Sequence, residues 1–214
     1  MIIRNILTGV CCLILSMMSA NAALQDDAEN SKNILIAYFT WADNTHVADP
    51  SQVDLDATTS ASLLIPGNTA KLAQWIHEEA GGDIFSITVK EPYSSDYDEC
   101  LERAASEKDN DIYPELTSRV NNLENYDTVF LGFPNWWYSC PMAILTFIKE
   151  NNLSGKTIIP FASHGTGGFA ASLRDIKEAL PDNCVMLKEF GVYRSDVDRS
   201  RPALVSWLHS LNLK

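Results

Sequence analysis

Five short apolar runs recur along the chain and divide it into repeating units. Each run has a length of roughly four to eight residues and the composition typical of a parallel strand that is covered on both faces. The pattern therefore predicts five buried strands, at 34–39, 83–89, 128–133, 157–161 and 185–190.

Between these runs, apolar residues return every three or four positions, as on one face of an amphipathic helix. Pro141 and Pro202 stand at the start of two such segments, where a first helical turn accepts proline, and Pro181 ends a third. A further helix is predicted over 97–108. The helical apolar positions are Leu72, Ile76 and Ala80; Ile144, Leu145 and Ile148; Phe169, Leu173, Ile176 and Leu180; and Leu204, Trp207, Leu208 and Leu211.

The alternation of strands and helices predicts one α/β domain, in which a doubly wound, five-stranded parallel sheet forms the middle of three layers. Two connections are longer than this alternation requires. Residues 40–66 far exceed the usual connection of about 2–6 residues and are rich in Asp, Ser and Thr. Such an excursion is typical of a functional loop or an inserted flap. Residues 92–126 are also long, and only their first part has helical spacing.

The first 22 residues have the pattern of a secretory signal peptide. Arg4 is the only charged residue before Asp26, and it is followed by an apolar run at 6–18 and by Ala20-Asn21-Ala22. The run is shorter than the about 20 residues that a membrane-spanning helix needs. A buried N-terminal helix is the alternative. We therefore expect export to the periplasm or secretion, no stable membrane span after leader removal, and three segments: a signal peptide at 1–22, a flexible lead-in at 23–32 and a folded domain at 33–214.

The balance of charges narrows the choice of partners. The chain has 16 Lys and Arg residues against 28 Asp and Glu residues, a formal net charge of −12. A surface this acidic repels phosphate backbones and anionic lipids, so nucleic acid is not an expected partner. A basic protein partner or a small ligand remains compatible with the charge.

Three cysteines follow the predicted leader: Cys100, Cys140 and Cys184. An odd number permits either one disulfide with one free thiol, or three free thiols. Cys140 lies beside the predicted start of a helix, so it is either a thiol with a lowered pKa or a buried, inert one. In each case the domain depends on apolar burial rather than on a disulfide framework.

Ligands of a doubly wound sheet bind beyond the carboxyl ends of its strands, so the loops after the first, third and fourth strands form the candidate site. The first loop starts with Thr40-Trp41 and, after the long excursion, ends in Gly67-Asn68-Thr69 before a helix. Hydroxyl and amide groups beside a helix N-terminus favour a phosphate. A simpler interpretation is that Asn68 or Thr69 only caps the helix.

The second loop contains three consecutive aromatic residues, Trp136, Trp137 and Tyr138. Three aromatic side chains in one loop cannot all face one core, so at least one is expected to present a surface to a planar ligand. The alternative is that all three pack against a neighbouring helix.

The third loop has the sequence Ser163-His164-Gly165-Thr166-Gly167-Gly168. Its glycines allow a ligand to approach the backbone N–H groups closely, although an ordinary flexible turn has the same composition. Taken together, the three loops suit a ligand that is phosphorylated, flat and rich in hydrogen-bonding groups. Flavin mononucleotide (FMN) is the obvious example.

The chain resembles the flavodoxin family over nearly all of residues 33–213. The similar segments follow the family's order: the strand 34–40 that enters the phosphate loop, Gly67-Asn68-Thr69 at the start of a helix, the strand and aromatic loop 126–137, and the strand 153–161 with the loop 163–165. The resemblance implies a sheet of order 2-1-3-4-5, non-covalently bound FMN and redox activity.

The resemblance also implies which residues contact FMN. Residues of the family contact the FMN phosphate, stack on the ring, line the ring edge or contact the polar edge of the ring. Each of these positions has a matching residue in this sequence. Trp41, Trp137 and His164 complete the predicted cofactor-binding set, and His164 is also the candidate for assisting protonation. No other catalytic residue and no metal ligand is expected. The matched residues are Thr40, Asn68 and Thr69 for the phosphate, Trp136 for stacking, Pro134 and Asn135 for the ring edge, and Ser163, Gly165 and Gly167 for the polar edge.

The sequence departs from the family pattern in three ways. The insertion divides the phosphate motif, so residues 40–45 or 58–69 could supply the cradle, and we favour a composite of both. Asp43 would repel a phosphate, which argues against Asp43 and Asn44 as ligands. The third loop has glycines where many electron carriers place a tyrosine over the ring, and an uncovered ring face would admit a nicotinamide or a quinone.

Three functional hypotheses follow from these observations. The leading one is an exported FMN protein that passes electrons between larger partners. Its partner is a redox protein or a small electron donor or acceptor. The second is an FMN-dependent NAD(P)H or quinone oxidoreductase. The third is a non-redox module of the same fold that binds another ligand through the aromatic loop.

Overall fold

The computed structural model describes residues 33–53 and 62–213. The predicted signal peptide and lead-in therefore lie outside the described residues, as does part of the long excursion. The strands are β1 (Ile34–Tyr38), β2 (Asp83–Ser86), β3 (Thr128–Pro134), β4 (Thr157–His164), β5 (Val185–Met186) and β6 (Phe190–Tyr193). The α-helices are α1 (Asn68–Ala80), α2 (Tyr97–Asp109), α3 (Met142–Glu150), α4 (Ser172–Ala179) and α5 (Arg201–Ser210).

All of these strands are parallel and belong to one sheet. The order is β2-β1-β3-β4-β5, and β6 pairs with the same edge of β4 as a continuation of β5. The predicted order 2-1-3-4-5 is confirmed. Helices cover both faces of the sheet, so the predicted three-layer architecture is confirmed as well.

The fifth predicted strand, at 185–190, is divided by one extra residue. Met186 and Phe190 are four positions apart on the edge strand, whereas their partners Ile158 and Phe161 are three positions apart on β4. An inserted residue of this kind is a β-bulge, which increases the local twist and re-aims the strand that follows. The bulge directs β6 and the residues after it toward the end of β4.

The predicted strand at 83–89 is shorter in the structure, because its last residues turn to a different partner. β2 ends at Ser86, and Val89 forms an antiparallel bridge with Leu116. Flanking backbone hydrogen bonds join Lys90 N to Glu115 O at 2.8 Å and Thr117 N to Thr88 O at 2.8 Å. The end of the long connection 92–126 therefore returns to the sheet edge, which sequence spacing alone did not indicate.

Successive residues of the central strands point to opposite faces and contribute to two apolar clusters. Leu35 and Val129 belong to the cluster under α2, α3 and α4, whereas Ile36 and Phe130 belong to the cluster under α1 and α5. All four side chains are fully buried. Burial on both faces explains why these strands are continuous apolar runs in the sequence. No helix in residues 33–53 or 62–213 is long and apolar enough to cross a membrane.

The three cysteines within the described residues are free thiols with different accessibility. Cys100 and Cys140 are buried, and burial raises the pKa of each thiol to about 12. Cys184 is partly exposed, and its thiol donates to Leu153 O at 3.0 Å. Of the two sequence interpretations, the buried, inert one therefore describes Cys140.

This difference predicts selective alkylation. At pH 8, iodoacetamide is expected to modify Cys184 at least tenfold faster than Cys100 or Cys140, because buried thiols with a raised pKa form almost no thiolate. Peptide mapping by mass spectrometry would assign each site, and the unfolded protein would serve as the control in which all three react. Rapid modification of Cys140 in the folded protein would contradict the prediction.

Candidate functional site

A cavity of about 280 Å³ opens where β1, β3 and β4 end. Because the carboxyl ends of parallel strands meet at one edge of the sheet, the three loops that follow these strands converge there. The first loop contributes Trp41 and Asn68, the aromatic loop contributes 134–138, and the glycine-containing loop contributes 163–167. Helix α2 and Arg194 complete the wall.

Ten of the twelve predicted cofactor-binding residues line this cavity. The two exceptions are Thr40 and Thr69, which are buried beside it. The residues that the structure brings together are Trp41, Asn68, Pro134, Asn135, Trp136, Trp137, Ser163, His164, Gly165 and Gly167.

The two ends of the long excursion meet at the helix α1 N-terminus. A Cβ atom added to Gly67 would lie only 2.0 Å from Thr40 Oγ1, so the Gly67 backbone packs directly against that hydroxyl. The Thr40 side chain consequently supports the turn rather than facing the cavity. The composite cradle from residues 40–45 and 58–69 stays a prediction, and residues 58–61 lie outside the described residues.

The α1 N-terminus has N–H groups available for an anion. Gly67 occupies the N-cap position and has no side chain to cap the helix, and the Asn68 N–H donates to Ser62 Oγ at 2.7 Å. The first four N–H groups of a helix have no partner within the helix, and the helix dipole favours negative charge there. The simpler interpretation, in which Asn68 or Thr69 only caps its own helix, is not supported, because Gly67 is the N-cap residue.

Asp43 and Asn44 are engaged in structural contacts away from the cavity. Asp43 Oδ2 accepts hydrogen bonds from Tyr38 OH at 2.9 Å and Ser86 Oγ at 2.7 Å. Burial, together with the nearby Asp43 charge, raises the pKa of Tyr38 to about 12. Asn44 is buried and accepts from Val89 N at 2.8 Å. Both residues stabilise the loop, in line with the argument against them as ligands.

Trp136 is a half-buried wall of the cavity held by other aromatic rings. Its ring lies nearly perpendicular to those of Phe39, Trp41 and Tyr93, at centroid distances of 5.3, 6.3 and 5.2 Å. Edge-to-face contacts of this kind are favourable and directional. The Trp41 Nε1–H donates to Ser94 O at 3.1 Å, which fixes that neighbouring indole as well. Trp136 is therefore a rigid apolar surface.

An ion pair between buried Glu107 and partly exposed Arg103 supports this wall from behind. Tyr93 OH donates to Glu107 Oε2 at 2.7 Å, and Arg103 Nε donates to Glu107 Oε1 at 2.9 Å. The Arg103 guanidinium also lies over the Tyr93 ring, 4.1 Å from its centroid. Burial, followed by the Glu107 charge, raises the pKa of Tyr93. The phenol therefore remains protonated and oriented against Trp136.

Trp137 and Tyr138 form a strained turn at the mouth of the cavity. The backbones of Trp136 and Ser139 exchange two hydrogen bonds of 2.8 Å, which makes 137–138 a two-residue hairpin turn. Both turn residues have positive φ, +49° and +61°, as a type I′ turn requires. Asn-Gly is the preferred sequence for such a turn, so two aromatic residues there cost conformational energy.

Tyr138 also contacts the third loop. Its ring lies over Gly167, where an added Cβ would be 3.3 Å from Tyr138 Cδ1. Its backbone carbonyl accepts from Ala171 N at 3.0 Å. The glycine at 167 thus provides space for an aromatic ring from the neighbouring loop, and the ring itself is 67% exposed.

The turn predicts a gain in stability from Tyr138→Gly. Removing the strain of a bulky residue at positive φ is expected to raise the free energy of unfolding by about 1 kcal/mol, because the exposed ring contributes little burial. Tyr113→Gly is the matched control at an exposed position without positive φ, and it is expected to lower stability. Urea unfolding measures both. A loss of stability in Tyr138→Gly equal to that in the control would contradict the prediction.

His164 lies at the edge of the cavity with its ring between two aromatic residues. The Nδ1 atom is 2.9 Å from Gly165 O, and the ring packs near Phe169 and Tyr193 at 6.1 and 6.4 Å. This ring has a defined orientation. Its assistance in protonation stays a prediction.

Seven residues of the cavity wall were not among the predicted cofactor-binding residues. Four belong to α2, whose helical spacing was visible but whose position over the aromatic loop was not. Thr166 and Tyr138 were recognised only as parts of their loops, and Arg194 follows the bulged edge strand, which no sequence pattern indicated. The seven are Tyr97, Cys100, Leu101, Ala104, Tyr138, Thr166 and Arg194.

Comparisons with solved structures agree with this architecture. A candidate flavoprotein from Bacteroides eggerthii DSM 20697 is 29% identical over 85% of this chain and 99% of its own, with a TM-score of 0.63. A candidate flavoprotein from Bacteroides uniformis ATCC 8492 is 24% identical over 84% and 99% of the two chains, with a TM-score of 0.61. A flavoprotein from Lactobacillus acidophilus NCFM, solved in complex with FMN, is 20% identical over 78% and 97%, with a TM-score of 0.57.

Comparison with curated protein sequences finds no match. The family model for flavodoxin, in contrast, matches residues 54–210, which is well over half of the chain. This match includes the α1 N-terminus, the aromatic loop and the glycine-containing loop. It confirms the resemblance drawn from the sequence and supports FMN as the cofactor. The chain belongs to the flavodoxin family.

Proposed function

We propose that the cavity binds FMN and that the protein transfers electrons through it. The observation that carries the proposal is the convergence of three different surfaces in one cavity. These are the N-terminus of α1 at Asn68, the rigid indole of Trp136 and the backbone of the loop at Gly165 and Gly167. FMN has a phosphate, a flat ring system and a polar ring edge, and each finds a chemically matching surface.

The residues that line the cavity fit the chemical groups of FMN. The Asn68 N–H donates to Ser62 Oγ, and the remaining N–H groups of the first turn of α1 would hold a phosphate. Trp136 offers an apolar face, and the amide of Asn135 lies on the same wall. The Lactobacillus acidophilus flavoprotein with this fold was solved with FMN, which adds support.

FMN supplies the redox chemistry when it is bound, since it accepts and releases one or two electrons. The chain's residues position it and limit its contact with water. Trp136 is held by three perpendicular rings and Tyr93 by Glu107. The cavity wall is therefore already formed and needs little rearrangement on binding.

Electron transfer between larger partners is the favoured function. The sequence suggested an uncovered ring face, because the third loop has glycines in place of a tyrosine. Tyr138 from the aromatic loop contacts Gly167, so an aromatic ring lies beside the third loop at the mouth of the cavity. This contact favours a carrier over a reductase that admits NAD(P)H or a quinone to an open face.

Two measurements on the purified protein test the proposal. A flavin absorbance spectrum, with the released cofactor identified by mass spectrometry, tests FMN binding. Stopped-flow mixing with NADPH then separates the two redox functions. A carrier is expected to remain oxidised, whereas rapid bleaching by NADPH would support the oxidoreductase instead. A folded protein that binds no flavin would support the non-redox module.

We further propose that the protein works outside the cytoplasm, after cleavage behind Ala22. The support is the charge and apolar pattern of residues 1–22. N-terminal sequencing of protein recovered from the periplasm or the medium tests this proposal. Recovery only from the cytoplasm with Met1 retained would contradict it.

A further inference from the structure

The lining of the cavity carries a positive charge, although the protein as a whole is strongly acidic. The chain has a formal net charge of −12, yet none of the described residues that line the cavity is Asp or Glu. Arg194 is the only Lys or Arg among those lining residues. A guanidinium in a cavity without carboxylates creates a local potential that favours negative charge on the group that occupies the cavity.

The Arg194 guanidinium lies against the third loop. A Cβ atom added to Gly165 would be 3.3 Å from Arg194 Nη1 and 3.8 Å from Cζ, so the missing side chain lets the charged group reach this loop. The Tyr193 ring lies 5.9 Å from Arg194 Cζ. Under the proposed function, the backbone at Gly165 and Gly167 faces the polar edge of the FMN ring. The positive charge of Arg194 is therefore next to the part of the cavity that receives this edge.

Arg194 keeps its charge available for the cavity, because no carboxylate pairs with it among the residues that the structure describes. The two acidic residues nearest in sequence pair with other cations. Asp196 pairs with Arg199 at 2.6 Å, and Asp198 pairs with Lys71 at 2.8 Å. An arginine stays protonated throughout the usual pH range, so the unpaired guanidinium is a permanent positive charge at the cavity wall.

We propose that Arg194 raises the reduction potential of bound FMN by stabilising the negative charge of the reduced ring. This inference rests on the proposed function, because it requires FMN in the cavity. Two electrons from the redox partner and one proton from the solvent convert the neutral oxidised ring into a reduced ring with one negative charge. A cation at the polar edge stabilises this charged form more than the neutral one, and charge near the ring nitrogens is one way in which a protein tunes its flavin.

The expected effect is opposite to that of the acidic surface. A net charge of −12 disfavours additional negative charge on the bound ring. Exposed charges more than about 10 Å apart are largely screened at about 0.1 M salt, whereas a partly buried pair is screened much less. Arg194 is half-buried and lines the cavity itself, so we expect its charge to outweigh the more distant carboxylates.

Reductive titration of the FMN-loaded protein, with a reference dye of known potential, tests this role. Arg194→Gln is expected to weaken the binding of reduced FMN about 10- to 100-fold relative to oxidised FMN, because a nearby opposite charge changes an ionisation equilibrium by such factors. For the two-electron couple, this change lowers the reduction potential by about 30–60 mV. The main chain is expected to stay in place, because Asn68 Nδ2 donates to the backbone carbonyl of Arg194 at 3.3 Å.

Three further variants isolate the local charge. Arg194→Met is a second neutral replacement and is expected to match Arg194→Gln. Arg194→Lys keeps the positive charge and is expected to retain more than half of the wild-type preference for reduced FMN. Arg199→Gln removes the same charge from the same 3-10 helix, Arg194–Arg199, but at a residue that pairs with Asp196 outside the cavity. We expect it to change the ratio of the two affinities less than about twofold.

Fluorescence titration with oxidised FMN distinguishes a failure of this role from a failure of the proposed function. Equal losses of affinity for oxidised and reduced FMN in Arg194→Gln would overturn the role, because the potential would then be unchanged. An equal fall in potential in Arg199→Gln would also overturn it, since the cause would be the net charge of the protein. Normal binding of oxidised FMN with an unchanged potential would overturn only this role. A wild-type protein that bound no FMN would overturn the proposed function as well.

Discussion

Replacing Trp136 with alanine is expected to raise the dissociation constant for FMN about 10- to 100-fold. Stacking of a heterocycle on an aromatic side chain contributes about 1–3 kcal/mol, and each 1.4 kcal/mol is a factor of ten in affinity. Trp136 lines the cavity and is fixed by Phe39, Trp41 and Tyr93, so its removal leaves a gap in a rigid apolar wall. Fluorescence titration of the purified protein measures the change.

A matched variant distinguishes a loss of FMN binding from a loss of folding stability. Trp75 is another partly buried indole, but it packs on the opposite face of the sheet and does not line the cavity. Trp75→Ala is expected to lower the free energy of unfolding. It is expected to change the FMN affinity of the wild-type protein by less than about twofold, because the FMN cavity stays intact in this variant. Near-ultraviolet circular dichroism would verify the fold of both variants. Equal affinities for Trp136→Ala and the wild-type protein would remove Trp136 from the site.

Gly132→Ala is expected to reduce the free energy of unfolding by about 3 kcal/mol, the upper end of the usual cost of overpacking a filled core. Gly132 lies within β3, and an added Cβ would be 2.1–2.7 Å from three ring atoms of Phe161. Phe161 is fully buried in the cluster under α1 and α5, so its ring has no space to move. Chemical denaturation would measure the loss.

Two further variants show whether contact with the Phe161 ring causes the loss of stability in Gly132→Ala. In a Phe161→Leu background, adding Gly132→Ala is expected to cost much less than in the wild-type protein, because the ring is absent. Gly165→Ala is the control at the cavity rim, where the added methyl meets only the flexible end of Arg194. It is expected to change stability by less than about 0.5 kcal/mol. A small effect of Gly132→Ala, or strict additivity with Phe161→Leu, would contradict the packing described here.

The sheet could be predicted from the sequence because its central strands are buried on both faces. The continuous apolar runs at 128–133 and 157–161 each correspond to an observed strand, β3 and β4. The edges were predicted less well. β2 ends early because 88–90 pair with 115–117, and the last strand is divided by a bulge. Pairing partners at a sheet edge depend on tertiary contacts, which the local pattern does not contain.

Much of the candidate site could also be located in advance, because loops at the carboxyl ends of parallel strands must converge. The residues that were not predicted reach the cavity by routes without a sequence signature. Helix α2 crosses the aromatic loop, and Arg194 arrives after the bulge in the edge strand. Tyr138 was visible as an aromatic residue, but its contact with Gly167 depends on a strained turn.

The positions of the two predicted threonines illustrate a further limit. Hydroxyl residues beside a helix N-terminus suggest phosphate ligands, and Thr40 and Thr69 have that position in the sequence. In the structure both are buried, and Thr40 supports Gly67 instead. A hydroxyl group can stabilise the loop that forms an anion site without facing the anion, and only the packing distinguishes these two roles.

The proposed function requires one FMN in the cavity at the ends of β1, β3 and β4. Isothermal titration of the flavin-free protein with FMN tests this directly, combined with the fluorescence of Trp136 and its neighbours. We expect one FMN per chain, with quenching of both the protein and the flavin fluorescence. A correctly folded protein that showed neither heat of binding nor quenching at saturating FMN would contradict the account.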